Sequence, residues 1–254
     1  MRCYGLLVYI QYTASAAPSL TRLQVAAQAR FSATQAPDMY KLHCFSQSGN
    51  CFKVAFCLEA LRERWEPVPI EFQGFVAGVT RDPAWRERTN EMGEAPVLED
   101  GPRRLTQSGA ILTYLANKHA RFGGRDDEER YEVLRWLFFD NHKFTSYFAT
   151  WRFMKSFAPA APDPAVEKFL KTRIDGALGI AEKHLSRQPY VVGDAPTIAD
   201  MSMCAYLFYP VEEHGYDFRK SHPAIAGWLD RVRAIEGWRD PYELLPGERV
   251  APKW

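Results

Sequence analysis

The segment from His43 to Val54 holds the side chains best suited to chemistry in this chain. An extended run, Tyr40 to Phe45, leads into a cluster of small polar residues, and apolar residues then recur at three- and four-residue intervals, as in a helix. A hydroxyl at such a strand-to-helix corner lies beside unpaired backbone N–H groups and the positive end of the helix dipole, which together stabilise an anion. Ser48 has this position, but Ser is also a common plain helix cap. The segment alone leaves both interpretations open.

The composition of the chain is that of a globular protein with no charge bias. Its 254 residues allow one large domain or two small ones. The formal net charge of +1 gives no general attraction to nucleic acid or to an anionic membrane. Every apolar run falls well short of the ~18 residues that a membrane-spanning helix needs. We therefore expect neither nucleic acid nor a membrane among the partners.

The cysteines indicate a reducing compartment. The chain has five, at Cys3, Cys44, Cys51, Cys57 and Cys204. They form no CxxC pair and show no metal-ligand spacing, and an odd, scattered set argues against a disulfide framework. We therefore expect a cytoplasmic protein without a bound metal.

Residues 1–38 differ from the rest of the chain. They are rich in Ala, Ser and Gln, and they contain three Arg but no acidic residue before Asp38. Three interpretations are open: an organelle transit peptide, a secretory signal with a very short apolar part, or a segment that precedes the true start of translation at Met39. We favour the third because the folded pattern begins at Tyr40, and we expect residues 1–38 to be disordered or not translated. Organelle import follows only if they are a transit peptide.

The pattern from residue 39 to residue 120 predicts a small mixed α/β domain. A helix follows the Ser48 corner, and Val68 to Phe72 supplies a second strand whose prolines suggest a sheet edge. The remaining elements are, in chain order, a short helix at Pro83–Thr89, strands at Pro96–Glu99 and Arg103–Thr106, and a helix capped by Ser108.

Residues 121–127 are predicted to be a linker, because they contain two adjacent glycines and several charged residues and show no periodicity. Beyond them, residues 128–254 predict an all-helical domain. Its helices are expected at Glu128–Lys155, Ala165–Leu185, Thr197–Tyr209 and Pro223–Ile235.

With its elements in this order, the chain resembles the cytosolic-type glutathione S-transferases, in particular bacterial-like members with a Ser/Asn corner. The resemblance covers about residues 40–246. It implies a thioredoxin-like α/β domain with a mixed four-stranded sheet, followed by an all-α helical bundle domain. It also implies glutathione as the co-substrate and a homodimeric protein.

The Ser48-Gly49-Asn50-Cys51 corner is the first feature that carries the resemblance. Many members have a Ser, Thr, Tyr or Cys there, and it faces the glutathione sulfur. The resemblance therefore implies that Ser48 is catalytic and that Asn50 contributes, as in bacterial members with a Thr-Pro-Asn corner. Ser46 is a neighbouring hydroxyl that could take the same role, although counting back from the helix at Lys53 favours Ser48.

Two further features imply glutathione-binding residues. The peptide bond of Ala95-Pro96 is cis in the family, which exposes backbone groups that pair with the cysteinyl part of glutathione. Gln107-Ser108 stands at a helix N-terminus. That terminus and the Ser hydroxyl receive the α-carboxylate, and Gln107 can bond the ammonium group.

Glu94 departs from the family pattern. Many members have Gln or Lys there, near the glycyl end of glutathione. A carboxylate at this position should repel the glycyl carboxylate unless it pairs with a cation such as Arg103 or Arg104. Glu94 is therefore a binding-site residue whose partner decides how well glutathione binds.

The fourth feature is Thr197-Ile198-Ala199-Asp200, which predicts a capping box at a buried helix start. It resembles the folding signature of the family's helical domain. We assign it a structural role and no chemistry.

Together these residues predict an enzyme that joins the glutathione thiolate to an electrophilic, largely apolar small molecule. Two alternatives remain: a glutathione-dependent disulfide reductase or peroxidase, and a non-catalytic protein-binding module with the same fold. His142 and Tyr147 lie on an unusually aromatic helix and are candidates for a second-substrate pocket between the domains. No metal is expected at the site.

Overall fold

The computed structural model describes residues 39–254, so the expectations for residues 1–38 lie outside the described residues. The first part of the described chain is an α/β unit. Its elements are β1 (Tyr40–Cys44), α1 (Gly49–Leu61), β2 (Trp65–Pro69), α2 (Phe72–Ala77), α3 (Pro83–Arg88), β3 (Val97–Asp100), β4 (Arg103–Thr106) and α4 (Ser108–His119). The strands form one sheet in the order β2-β1-β3-β4, in which β1 and β2 are parallel and the other pairs are antiparallel. The predicted thioredoxin-like fold class is confirmed.

The second strand lies at the edge of the sheet, as predicted, but its predicted bounds are wrong. The strand runs from Trp65 to Pro69, and Phe72 begins the helix α2 instead. The edge position suits the two prolines, which have no N–H to donate to a neighbouring strand. Glu71 caps α2 by accepting hydrogen bonds from the backbone N–H groups of Gln73 and Gly74.

The second part of the described chain is all-helical. Its elements are α5 (Asp127–Phe139), a π-helical turn (Asp140–Phe144), α6 (Thr145–Ser156), α7 (Pro164–Leu185), α8 (Ile198–Cys204), a 3-10 turn (Ala205–Phe208), α9 (Val211–His214), α10 (Phe218–Ser221), α11 (Pro223–Arg233) and α12 (Pro241–Leu244). This confirms the predicted all-helical second half. Within residues 39–254, every helix is too short or too polar to span a bilayer.

The capping box at the start of α8 is confirmed. The Thr197 hydroxyl accepts from the N–H of Ala199, and the Asp200 carboxylate accepts from the N–H of Thr197. Asp200 is fully buried and also accepts from the indole N–H of Trp228 at 2.8 Å. Burial raises the pKa of Asp200, although these hydrogen bonds act in the opposite direction. The box therefore ties the start of α8 to α11.

A buried ion pair joins the two parts of the molecule. The Lys53 ammonium on α1 donates to Asp140 Oδ2 at 2.7 Å, and both side chains are almost completely buried. Asp140 also accepts from the hydroxyls of Thr145 and Ser202. Asp140 starts the π-helical turn that interrupts the predicted long helix, and single π-helical turns are frequently found at functional sites.

Asp140→Ala should lower the free energy of unfolding by about 3–5 kcal/mol, because it leaves the Lys53 ammonium buried without its partner. Urea denaturation followed by circular dichroism measures this change. The matched control is Glu236→Ala, which breaks an exposed ion pair with Arg62 and should change stability far less. Equal losses in the two variants would contradict the importance of the buried pair.

Candidate active site

A cleft of about 460 Å³ lies where the α/β part meets the helical part. The α/β part contributes residues from the end of β1, the start of α1, α2 and the loops before β3 and α4. These residues are Phe45, Gln47, Ser48, Asn50, Phe72, Phe75, Glu94, Ala95 and Gln107. The helical part contributes Asn141, Thr145, Ser146, Ala149, Arg152, Phe153, Phe157 and Tyr206. The cleft therefore gathers five of the eight residues predicted to catalyse or to bind glutathione.

Ser48 is both a helix cap and a residue of the cleft. Its backbone is extended, and its Oγ accepts a hydrogen bond from the N–H of Cys51 at 3.2 Å. A hydroxyl that accepts in this way still has its own proton to donate. The two interpretations left open by the sequence are thus compatible, because capping α1 holds the Ser48 oxygen at the edge of the cleft.

Ser46 is placed differently from Ser48. It is completely buried, and its hydroxyl donates to the carbonyl of Gly247 at 3.2 Å. Its own carbonyl accepts from the Tyr209 hydroxyl at 2.7 Å. Ser46 does not line the cleft, so Ser48 is the hydroxyl of this corner that a ligand in the cleft can reach.

The sequence predicts that Ser108 caps α4. In the structure Ser108 is instead the first residue of this helix. Gln107 holds the cap position, with a backbone φ of 66° and no capping bond from its side chain. The Ser108 hydroxyl instead donates to Asn50 Oδ1 at 3.4 Å. Because Asn50 lies in the first turn of α1, this contact brings the N-termini of α1 and α4 together at the cleft.

Glu94 has a neutral partner and not a cationic one. Gln107 Nε2 donates to Glu94 Oε2 at 2.9 Å. Arg104 lies opposite Glu99 in the β3–β4 register and pairs with it at 3.3 Å. The guanidinium of Arg103 lies 5.3 Å from the centre of the Tyr114 ring. Neither arginine therefore pairs with Glu94, because the strand register directs Arg104 to another carboxylate.

The Ala95-Pro96 peptide bond is cis, as predicted. Ala95 lines the cleft, whereas Pro96 is buried. The buried Asn90 amide donates to the Glu94 carbonyl at 2.8 Å and holds the loop in front of this bond.

His142 and Tyr147 are not brought to the cleft. His142 is exposed, and Tyr147 lines a separate groove, where its ring centre lies 6.3 Å from that of Phe169. The residues of this region that do line the cleft, among them Thr145 and Ala149, recur at four-residue spacing. Position 147 falls out of phase with that spacing, whereas His142 lies in the π-helical turn Asp140–Phe144, before α6 begins.

Two further residues, Tyr206 and Arg152, line the cleft. Tyr206 packs on the Ser48 corner so closely that a Cβ added to Gly49 would lie 2.5 Å from its ring. Arg152 was missed, although its spacing from Phe148 places it in phase with the buried face of α6. A cationic residue on the buried face of a helix indicates a buried partner of opposite charge.

The described cysteines are buried free thiols. Burial raises the pKa of Cys51 to about 11, although a hydrogen bond with Ser48 acts in the opposite direction. Cys51 is therefore neutral at physiological pH and cannot be reached from the cleft. No group of three or more metal-ligating side chains comes together within residues 39–254.

Comparison with known proteins gives one consistent result. The family model described as "Glutathione S-transferase, N-terminal domain" matches residues 42–125, and that described as "Glutathione S-transferase, C-terminal domain" matches residues 142–236. A glutathione S-transferase of Arabidopsis thaliana is 27% identical over 213 residues, which are 80% of this chain and 82% of that protein.

Two bacterial crystal structures are more similar in sequence. A glutathione S-transferase from Pseudomonas fluorescens is 31% identical, with a TM-score of 0.71 over 80% of this chain and 99% of that one. A glutathione S-transferase from Xanthobacter autotrophicus is also 31% identical, with a TM-score of 0.71 over 81% of this chain and 100% of that one. The chain therefore belongs to the glutathione S-transferase family.

A buried histidine lies behind the cleft. His214 Nε2 bonds the carbonyl of Tyr209 at 2.9 Å, and its Nδ1 accepts from the N–H of Tyr216 at 3.0 Å. Burial lowers the pKa of His214 to about 4, and the nearby Arg152 acts in the same direction. The imidazole is therefore neutral in the folded protein at pH 7.

Because of His214, the free energy of unfolding should decrease in acid. The unfolded histidine gains a proton below about pH 6.5, whereas the folded one does so only near pH 4. Stability is thus fully present above pH 6.5 and decreases by up to about 3 kcal/mol as pH falls to 4. Urea denaturation between pH 7 and pH 4.5 should show a weaker pH dependence for His214→Asn than for the wild type. His142→Gln, at an exposed position, should keep the wild-type dependence, and an unchanged slope in His214→Asn would refute this assignment.

Proposed function

We propose that this protein is a glutathione transferase, in which Ser48 donates a hydrogen bond to the sulfur of glutathione. The observation that carries the proposal is the position of the Ser48 hydroxyl, which caps α1 and lines the cleft at the same time. The N–H groups of the first turn of α1 add positive potential at this place. An anionic sulfur is the ligand that such a corner stabilises.

The other side of the cleft suits the peptide part of glutathione. The N-terminus of α4, with Gln107 and Ser108, provides N–H groups, a hydroxyl and an amide for the α-carboxylate and ammonium groups of the γ-glutamyl end. Ala95 offers backbone groups to the cysteinyl part. The Gln107–Glu94 hydrogen bond spreads part of the Glu94 charge onto a neutral amide, which lessens the repulsion of the glycyl carboxylate. Asn50, held by Ser108, joins this site to the sulfur site.

The required stabilisation of the thiolate is modest. A free thiol has a pKa of about 8.5, and lowering it by about two units takes roughly 2.7 kcal/mol. One charge-assisted hydrogen bond from Ser48 and the first turn of α1 are sufficient for this. The thiol proton passes to solvent, the sulfur forms a bond to the electrophilic carbon, and the leaving group departs with the bonding electrons. Ser48 donates a hydrogen bond and is not itself the nucleophile.

The second substrate should be apolar and electrophilic. Five phenylalanines form one wall of the cleft: Phe45, Phe72, Phe75, Phe153 and Phe157. Phe72 on α2 meets Phe157 at the end of α6 with ring centres 5.1 Å apart, so this wall spans both parts of the molecule. Such a surface favours flat apolar molecules over charged ones.

The burial of Cys51 argues against thiol chemistry by the protein itself, because its sulfur is neutral and enclosed. A reductase that uses two glutathione molecules remains the main alternative. Assays with hydroxyethyl disulfide and with chlorodinitrobenzene separate the two activities. Faster turnover of the disulfide would favour the reductase, and failure to bind a glutathione resin would favour a non-catalytic module.

Ser48→Ala should lower kcat/KM with chlorodinitrobenzene by about tenfold or more, since a lost hydrogen bond to an anion costs roughly 1.5–3 kcal/mol. The pKa of bound glutathione, followed through thiolate absorbance, should rise in the same variant. Ser46→Ala is the matched comparison and should retain more activity, because its hydroxyl bonds Gly247 away from the cleft. Full turnover by Ser48→Ala, or a larger loss in Ser46→Ala, would overturn the assignment.

We also propose a cytoplasmic homodimer. Tyr131, Leu134 and Phe138 form an exposed apolar stripe along α5, and Phe138 is 72% exposed. An exposed stripe of this kind favours contact with another protein surface, and a second copy of the chain is the partner that the family suggests. The free thiols of the described residues are consistent with a reducing compartment.

Phe138→Glu should convert the protein from dimer to monomer, because it places a charge in the apolar stripe. Analytical ultracentrifugation of the variant and the wild type measures this. Phe169→Glu, at an exposed aromatic position on α7, tests whether α5 alone forms the contact. A wild-type protein that sediments as a monomer would refute the proposed dimer.

A further inference from the structure

A buried charge network lies directly under the loop that carries Ser48. Arg152 Nε and Nη2 donate to Glu213 Oε2 at 2.9 and 2.5 Å, and both side chains are almost fully buried. Arg152 Nη1 donates to the backbone carbonyl of Gln47 at 2.7 Å. The guanidinium carbon lies 3.6 Å from the centre of the Tyr209 ring. Arg152 thus joins α6 and α9 to the residue that precedes Ser48.

The last part of the chain holds this network in place. The Tyr242 hydroxyl of α12 donates to Glu213 at 3.0 Å and accepts from Arg152 Nη2 at 2.9 Å. Arg249 Nε donates to Glu213 Oε1 at 3.0 Å, and its other end pairs with Glu212. Glu213 therefore has hydrogen-bond donors from three separate segments of the chain.

The segment Pro246–Glu248 also binds the Ser48 loop through its backbone. The carbonyl of Pro246 accepts from the N–H of Ser46 at 2.9 Å. The carbonyl of Glu248 accepts from the Gln47 side-chain amide at 2.6 Å. Gly247 fits against the Ser46 hydroxyl with a φ of +114°, a conformation that suits glycine. Ser46 and Gln47 are thus held in place: Arg152 bonds the Gln47 carbonyl, and the segment Pro246–Glu248 bonds the Ser46 N–H and the Gln47 side chain.

The network affects the Ser48 loop mainly by fixing its geometry, and it adds little electric field. Two arginines, Arg152 and Arg249, face two glutamates, Glu212 and Glu213, so the four charges cancel. A buried ion pair of this kind adds little net stability relative to apolar residues. Its contact with the loop reaches the Gln47 carbonyl, which belongs to the same peptide group as the Ser48 N–H. A fixed Gln47 carbonyl fixes the direction in which the chain enters α1.

We propose that Arg152 is a positioning residue: held by Glu213 and braced by Tyr242 and Arg249, it fixes the Gln47 peptide and so aims the Ser48 hydroxyl at the sulfur. This inference rests on the proposed function. It assigns to residues 242–249 a role in the active site, although none of these residues lines the cleft.

Arg249→Gln and Tyr242→Phe test the proposal, because each removes one brace and leaves Arg152 and Glu213 paired. Each should lower kcat by about threefold to tenfold and raise the pKa of bound glutathione, with little change in KM for glutathione, since small misplacements of a catalytic group act on the transition state. Arg249→Lys should recover part of the loss by restoring the charge. Arg239→Gln is the control, because it breaks an exposed pair with Glu59 away from the cleft.

A double-mutant cycle separates positioning from plain stabilisation. In a Ser48→Ala background, Arg249→Gln and Tyr242→Phe should have almost no further effect on kcat or on the thiol pKa, because their influence passes through the Ser48 hydroxyl. Thermal unfolding of every variant shows that the fold is kept. Additive losses, or a kcat and a thiol pKa equal to those of Arg239→Gln, would overturn the proposal.

The two proposals fail in different ways. If Ser48→Ala is impaired but the brace variants match the control, the positioning role is wrong and the proposed function stands. If Ser48→Ala keeps full activity, the role proposed for the Ser48 hydroxyl fails and the positioning role fails with it.

Discussion

The structure depends on how three residues, Ser46 to Ser48, are held between two halves of the molecule. This short loop must expose a hydroxyl to the cleft while its other backbone groups are buried. Buried N–H and C=O groups require partners. Ser48 bonds the Phe45 carbonyl and the Phe52 N–H within the corner, whereas Ser46 and Gln47 take partners from outside it. Arg152, Tyr209 and the C-terminal segment supply them from the helical part. The helical part is therefore needed to build the candidate active site, in addition to forming one wall of the cleft.

Two buried ion pairs connect the halves at neighbouring points. Lys53–Asp140 lies one helical turn beyond the Ser48 corner, and Arg152–Glu213 lies beneath it. Burying charges has a large desolvation cost, and apolar residues would give comparable stability. What charged pairs add is a defined geometry, because each accepts only partners at the right distance and direction. Their placement on both sides of the corner fixes the start of α1 relative to α5 and α6.

Much of the fold could be predicted from local patterns. The strand–corner–helix at Ser48, the cis Ala95-Pro96 bond and the capping box at Thr197 are set by residues adjacent in the chain or by a family resemblance read from them. The helix α2 was missed because its short sequence after two prolines resembles the continuation of an edge strand. Ser108 was misplaced by one residue, which is the usual uncertainty of a helix end.

The connections between distant residues could not be predicted. Lys53 and Asp140 are 87 residues apart, and Arg152 and Gln47 are 105 apart, so no periodicity links them. The face of α6 that lines the cleft was not predicted either, because the sequence pattern predicted one continuous helix and did not show the π-helical turn Asp140–Phe144. Thr145, Ala149 and Arg152 line the cleft, while His142 and Tyr147 do not.

A crystal structure of the protein with glutathione tests the central claim most directly. The account predicts that the Ser48 oxygen lies within hydrogen-bonding distance of the glutathione sulfur, with the tripeptide along Ala95 and its γ-glutamyl end at the N-terminus of α4. A Ser48 oxygen turned away from the sulfur, or a glutathione bound outside the cleft, would contradict it.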